Sequence, residues 1–143
     1  MDVRLTDEQE LWNDTIARLA GGLAMTVPDD ASADRDVAVR WQQVLEVGVP
    51  ALRSPELSGL EQTGVEIALA AEQFGRHLVP VPLLGQGILS AELLAAAGAT
   101  ETLERIVAGE LRVAPAFDPT LARFARRGEP AIAWDAVGAT HGE

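Results

Sequence analysis

The stretch Phe74–Gly98, FGRHLVPVPLLGQGILSAELLAAAG, sets two prolines and, inside its ends, three glycines between apolar runs of helical composition. Proline lacks a backbone N–H and fixes φ, so Pro80 and Pro82 break any helix that crosses them. A helix is expected to stop at Gly75, the chain to run extended through Val79-Pro80-Val81-Pro82, and an apolar helix to follow from Leu83 or Leu84 to about Ala97. A plain helical bundle has no need of such an elbow. Being apolar nearly all round, the helix after it is expected to be the most buried of the set.

Working outward, the chain reads as a series of helices. Thr6-Asp7-Glu8-Gln9 is a capping box that starts the first, and Trp12, Ile16, Leu19 and Leu23 give it one apolar stripe ending near Gly21-Gly22. Pro28 to Asp36 reads as an acidic loop. A second helix from about Asp34 carries Val37, Trp41, Val44 and Leu45 inward until Gly48. Val49 to Gly64 reads as loop, with Pro50, Pro55, Ser58 and Gly59 as breaks. A second capping box, Thr63-Gly64-Val65-Glu66, opens a helix that runs to Phe74 and Gly75. Thr100 is expected to cap a further helix from Glu101 to Ala108, closed by Gly109.

The C-terminal part differs in kind. Leu111-Arg112-Val113 and Ala131–Val137 carry strand-like content, and Asp118-Pro119 through Gly128 has the marks of a short helix, with Asp at the cap, Pro at the first position and Arg at the negative end. The strands are expected to lack partners, as in an unfinished sheet. The expected fold class is therefore all-α, a helical bundle with one or two strand-like segments at its C-terminal end. Two parts are expected: a helical domain over 1–110, and the start of an incomplete β domain or tail over 111–143.

Composition excludes several functions. At 143 residues the chain has the length of one domain, and its 48% apolar content is interrupted often enough that no run reaches the roughly 20 residues of a membrane span. The first residues are acidic where an export signal is basic and then apolar, so a cytoplasmic location is expected. Without cysteine there are no disulfides or thiolate sites, and two distant histidines do not make a metal centre. A net charge of −11 argues against nucleic acid, which needs a basic face.

No phosphate loop, dinucleotide fingerprint, nucleophile elbow or zinc-protease motif occurs. His77 follows a helix end, where a basic residue meets the last carbonyls, and His141 falls in a frayed tail. Glu66 and Glu72, or Glu101 and Glu104, read as helix-surface or first-turn acids rather than a catalytic pair. Trp12, Trp41 and Trp134 lie on apolar stripes and are expected in the core or at an interface. No catalytic residue and no metal ligand is assigned.

The order of segments LTDEQEL, WQQVLEVGVPALRSPE, TGVEIALAAEQFGR, PVPLLG and AAAGATETLERIVAGEL resembles the N-terminal helical domain of the acyl-CoA dehydrogenase family, over about residues 3–113. The resemblance implies a three-domain enzyme in which this helical domain precedes a β domain and a C-terminal bundle. It implies α,β-dehydrogenation of an acyl-CoA thioester in lipid metabolism, with a carboxylate base from the C-terminal domain and FAD held mainly outside this domain. It places the helix after Pro82 along the acyl chain, which makes Leu83, Leu84, Gly87, Ile88, Ser90 and Ala91 the candidate substrate-binding residues, with Gly85 and Gly87 leaving room for a ligand. Close helix packing accounts for those glycines equally well.

There are departures. Where the family carries T-E-P, a glycine-rich turn and Ser-Asp near the flavin, this chain reads Ala114-Pro115-Ala116-Phe117-Asp118-Pro119-Thr120-Leu121, and Glu56-Leu57-Ser58-Gly59-Leu60 stands where a Gly-Gly pair is usual. FAD is thus expected in the complete enzyme or with a partner chain, not on this chain alone. The expected partners are the rest of the same chain or another acyl-CoA dehydrogenase-like chain in a hetero-oligomer. Two alternatives stay open: a non-catalytic helical interaction module, and part of a flavin monooxygenase of the same fold.

Overall fold

A computed structural model of the chain describes residues 4–24, 33–52, 54–58, 64–139 and 141–142. It is mostly helical, in the order α1 (Asp7–Leu23), α2 (Ala33–Glu46), a 3₁₀ turn (Val49–Ala51), α3 (Pro55–Ser58), α4 (Gly64–Arg76), a π-helix (Leu83–Leu89) continuous with α5 (Ser90–Ala96), and α6 (Thr100–Val107). Four two-residue strands follow: β1 (Val113–Ala114), β2 (Ala116–Phe117), β3 (Ile132–Ala133) and β4 (His141–Gly142).

The capping box forms as read. Thr6 Oγ1 accepts from Gln9 N at 3.2 Å while Thr6 N donates back to Gln9 Oε1 at 3.1 Å. Ile16, Ala20 and Leu23 of α1 then meet Ala70 and Phe74 of α4, Trp41, Val44 and Leu45 of α2, and Leu83 in the main core. A second core joins Ala91 and Leu94 of α5 to Leu103 and Ile106 of α6 and to Leu111 and Val113. Burying a side chain such as Ile16, fully excluded from solvent, stabilises the fold by about 1.5–3 kcal/mol.

Polar groups also enter the α1–α4 seam. Glu66 is buried, not a surface acid as its position in a first turn suggested: its Oε1 accepts from Gln9 Nε2 at 2.9 Å, and its carbonyl accepts from Trp12 Nε1 at 2.9 Å. Gln73 Nε2 donates to Asn13 Oδ1 at 2.8 Å one turn further on. Gln9 therefore serves both its own helix cap and the neighbouring helix.

Element boundaries differ from the sequence reading in instructive ways. The second helix begins at Ala33, within the stretch read as loop, and the 49–64 loop contains the 3₁₀ turn and α3. Thr63, Gly59 and Leu60 lie outside the described residues, so the second capping box and the missing Gly-Gly pair are not described. Thr100 is the first residue of α6 rather than its side-chain cap. The helix after the elbow is not uniformly buried, since Leu84 and Leu93 are exposed.

The tail departs most. Its strands have partners: β1 pairs with β4 in parallel and β2 with β3 antiparallel. His141 is thereby paired opposite Val113 instead of lying in a frayed end. The helix expected after Asp118 does not form. Asp118 Oδ1 takes the Ala122 N–H at 3.0 Å, Leu121 adopts a left-handed φ of 59°, and Phe124 bridges back to Phe117, which together make a turn.

Candidate functional site

The elbow forms one of the concave regions among the described residues. α4 runs one residue past Gly75, to Arg76, and the left-handed residue that ends it is not a glycine but Leu78, at φ 49°. Val79 N reaches Phe74 O at 3.1 Å and Leu78 N reaches Gly75 O at 3.1 Å, the double closure of a Schellman motif. A leucine in this conformation costs about 1–2 kcal/mol, and its side chain is 81% exposed, so burial does not repay it. Such strain gathers at functional sites.

After Pro82 the chain winds wide. Pro82 O accepts from both Gln86 N at 3.1 Å and Gly87 N at 3.4 Å, and Ser90 N donates to Gly85 O, five residues back. π-turns are rare and cluster at functional places. Two glycines let the backbone adopt this pitch against close neighbours. A Cβ on Gly87 would sit 3.2 Å from the Trp41 ring, and one on Gly85 would sit 2.5 Å from Asp135 Cβ. Trp41 and Asp135 thus occupy the space directly beside these glycines.

Asp135 arrives from a segment 50 residues away. Its Oδ2 accepts the Gly85 N–H at 2.8 Å, satisfying a first-turn amide that has no intrahelical partner. Next to it Gln86, 1% exposed, donates through Nε2 to Asp135 O at 2.8 Å and Val137 O at 3.0 Å, and its Oε1 accepts from Arg112 Nε at 3.0 Å. Arg112 also donates through Nη2 to Val137 O at 2.6 Å and lies 5.2 Å from the centre of the Trp41 ring. Gln86 is the buried hub that fastens residues 135–137 onto the π-helix. Burial pushes the Asp135 carboxyl above the ordinary carboxylate value, opposed by the Gly85 N–H and the positive charge of Arg112. Burial likewise lowers Arg112, which Asp135 partly offsets.

Fastening the tail here completes a cleft of about 460 Å³. Phe74 and Gly75 of α4, Leu78, Val79 and Val81 of the elbow, Leu83 and Leu84 of the π-helix, and Trp134 and Asp135 of the tail line it. The walls are apolar except for one carboxylate, and the volume falls within the roughly 300–1,000 Å³ of small-molecule sites.

The six residues singled out from the sequence divide in space. Leu83 and Leu84 line the cleft. Ile88 packs on the main core and Ala91 belongs to the second, while Gly87 faces Trp41. Ser90 is 3% exposed, and its hydroxyl has no hydrogen-bond partner among the described residues. Phe74 was read as the end of a helix, Val79 and Val81 as an extended step and Trp134 as a core or interface residue, while Leu78 and Asp135 were not singled out. His77 follows α4, with its ring edge beside Gly21 of α1. Glu72 pairs with Arg76 at 2.7 Å on the surface.

Among the described residues no helix is long and apolar enough to cross a membrane, and no group of three or more His, Cys, Asp or Glu is placed to hold a metal ion. Over 146 aligned positions, covering 92% of the chain, 32% of residues are identical to those of a curated relative, a similarity that supports an acyl-CoA dehydrogenase family segment. That relative is acyl-CoA dehydrogenase IpdE2 of Mycolicibacterium smegmatis, of which the chain spans 46%, less than half its length. No family model matches the chain, and no solved structure matches it.

Proposed function

We propose that the chain supplies one apolar wall of the acyl-thioester site in an acyl-CoA dehydrogenase-like flavoprotein that performs α,β-dehydrogenation. The observation that carries this reading is the cleft at the elbow, built by Leu83 and Leu84 in a segment of that family. Its apolar walls take an alkyl group out of water, a gain of about 25 cal/mol per Å² of apolar surface covered. Gly87, Ile88, Ser90 and Ala91 back this wall and hold the π-helix in place.

The described stretch Ala114–Leu121, where the resemblance puts flavin contacts, does not fit a flavin diphosphate. In the stretch Ala114–Leu121 the Pro115 and Ala116 carbonyls accept from Trp134 N and Ala125 N, and the Asp118 carboxylate accepts from Thr120 Oγ1 and Ala122 N. That leaves a carboxylate rather than an array of donors where a diphosphate would need positive groups. FAD and the catalytic base accordingly belong to polypeptide outside the matched portion, in the same chain or in a partner. FAD supplies the hydride acceptor when bound there; this chain binds the acyl group and excludes water from it.

A second reading, a non-catalytic interaction module, is favoured by one feature. Phe117 and Phe124 stack at 4.9 Å with Trp134 edge-on at 6.3 Å, and Phe124 and Trp134 remain exposed. Methyl NMR with 1-octanol separates the two readings. Shifts at Leu83 and Leu84 support the acyl wall, and shifts confined to other methyls, or none, reject it.

A further inference from the structure

The cleft carries one polar group, and its placement bears on which acyl groups can enter. Asp135 lines the cleft beside Trp134, opposite the apolar residues of α4 and the elbow. One carboxylate oxygen, Oδ2, is committed to the Gly85 N–H, and the backbone carbonyl to Gln86 Nε2. No donor is found for Oδ1 among the described residues. The carboxylate cannot swing away: Gly85 lies against its Cβ, and the neighbouring carbonyls are held by Gln86 and Arg112. The cleft therefore presents a fixed anionic acceptor in an apolar wall.

Resting on the acyl-wall reading above, we infer that Asp135 is a specificity-determining residue: the cleft accepts alkyl groups that end in a neutral hydrogen-bond donor such as a hydroxyl, and rejects those that end in a carboxylate. A hydroxyl donates to Asp135 and satisfies an acceptor that an alkyl terminus leaves dry. A carboxylate brings a second negative charge beside the first in a partly desolvated site, where like charges repel more strongly than in water. Arg112 moderates this repulsion, with its guanidinium donating to Gln86 Oε1 and to Val137 O. The chain as a whole, at −11, repels anions further.

The test uses the full chain, with 1-octanol, octylammonium and octanoate as chain-matched probes, each followed by the methyl shifts of Leu83 and Leu84 near neutral pH. The wild type is expected to bind 1-octanol and octylammonium at least about tenfold more tightly than octanoate, because only octanoate brings a like charge to Asp135. Asp135→Asn keeps an acceptor for Gly85 N and is expected to bring octanol and octanoate within about twofold of each other, mainly by improved octanoate binding. If Asp135→Asn does not fold, the wild-type comparison still decides. Octanoate binding as tightly as 1-octanol, or an unchanged preference in a folded Asp135→Asn, overturns the inference and leaves the acyl wall standing. Failure of 1-octanol to bind at these methyls overturns both.

Discussion

Replacing Gln86 with Met tests how the tail is held to the helical body. Met matches Gln in length and is tolerated in an apolar interior, but it removes three hydrogen bonds: to Asp135 O, to Val137 O and from Arg112 Nε. At about 1 kcal/mol for each neutral bond and about 1.5–3 for the one with a charged donor, the loss is roughly 3.5–5 kcal/mol if the tail stays docked. The tail has a cheaper route: residues 134–138 lift away and their carbonyls return to water. The main core, which contains neither Gln86 nor the tail, keeps its contacts. Hydrogen exchange should therefore show faster exchange of amides 132–138 by two or more orders of magnitude, since every 1.4 kcal/mol is about a factor of ten. Amides in the α1–α4 pair should change little. Unchanged exchange at 132–138, or equal acceleration throughout the chain, would refute the view of Gln86 as a local clasp.

Ser90→Ala removes a buried hydroxyl that has no partner among the described residues, so a gain of about 1 kcal/mol in urea unfolding is expected; a loss would mean that the hydroxyl is satisfied. Leu78→Gly relieves the left-handed leucine and, after the entropy cost of glycine, should stabilise by about 0.5–1 kcal/mol while weakening 1-octanol binding. Lower stability in that variant would show that the Leu78 side chain contributes more than its backbone costs. Burial raises the folded-state pKa of Asp135, so protons favour the folded form: its contribution is fullest below the unfolded-state value and is lost as pH rises through the folded one. The stability difference between wild type and Asp135→Asn should accordingly shift in favour of the variant as pH rises from about 4 to 7, and a difference that is flat with pH contradicts this.

Much of the helical body was legible because local signals and tertiary structure agree. Thr6 and Gln9 are three residues apart, so their box is written in four letters, and Trp41, Val44 and Leu45 sit on the face they bury. The elbow was legible from Pro80 and Pro82. What could not be read is set by contacts across long separations. Glu66 looked like a surface acid because Gln9, its hydrogen-bond partner, lies 57 residues away. The tail's marks of a helix lost to Asp118, whose side chain captured the N–H that a helix would have used. A small part of the cleft was visible in Leu83 and Leu84, but its carboxylate comes from a residue with no motif around it, brought in by a glutamine that looked like an ordinary helix residue. Gly85 and Gly87 were read as leaving room for a ligand or, equally, for close packing, and the space directly beside them is taken by Asp135 and Trp41.

Whether this chain furnishes an acyl wall to a flavoprotein assembled with other polypeptide is tested most directly by native mass spectrometry. The chain is purified by itself, and again after co-expression with its neighbouring genes. The account predicts a flavin-free chain in the first preparation and, in the second, a complex with a longer acyl-CoA dehydrogenase-like chain that carries FAD. Stoichiometric FAD on the isolated chain, or recovery of the chain alone from both preparations, would contradict it.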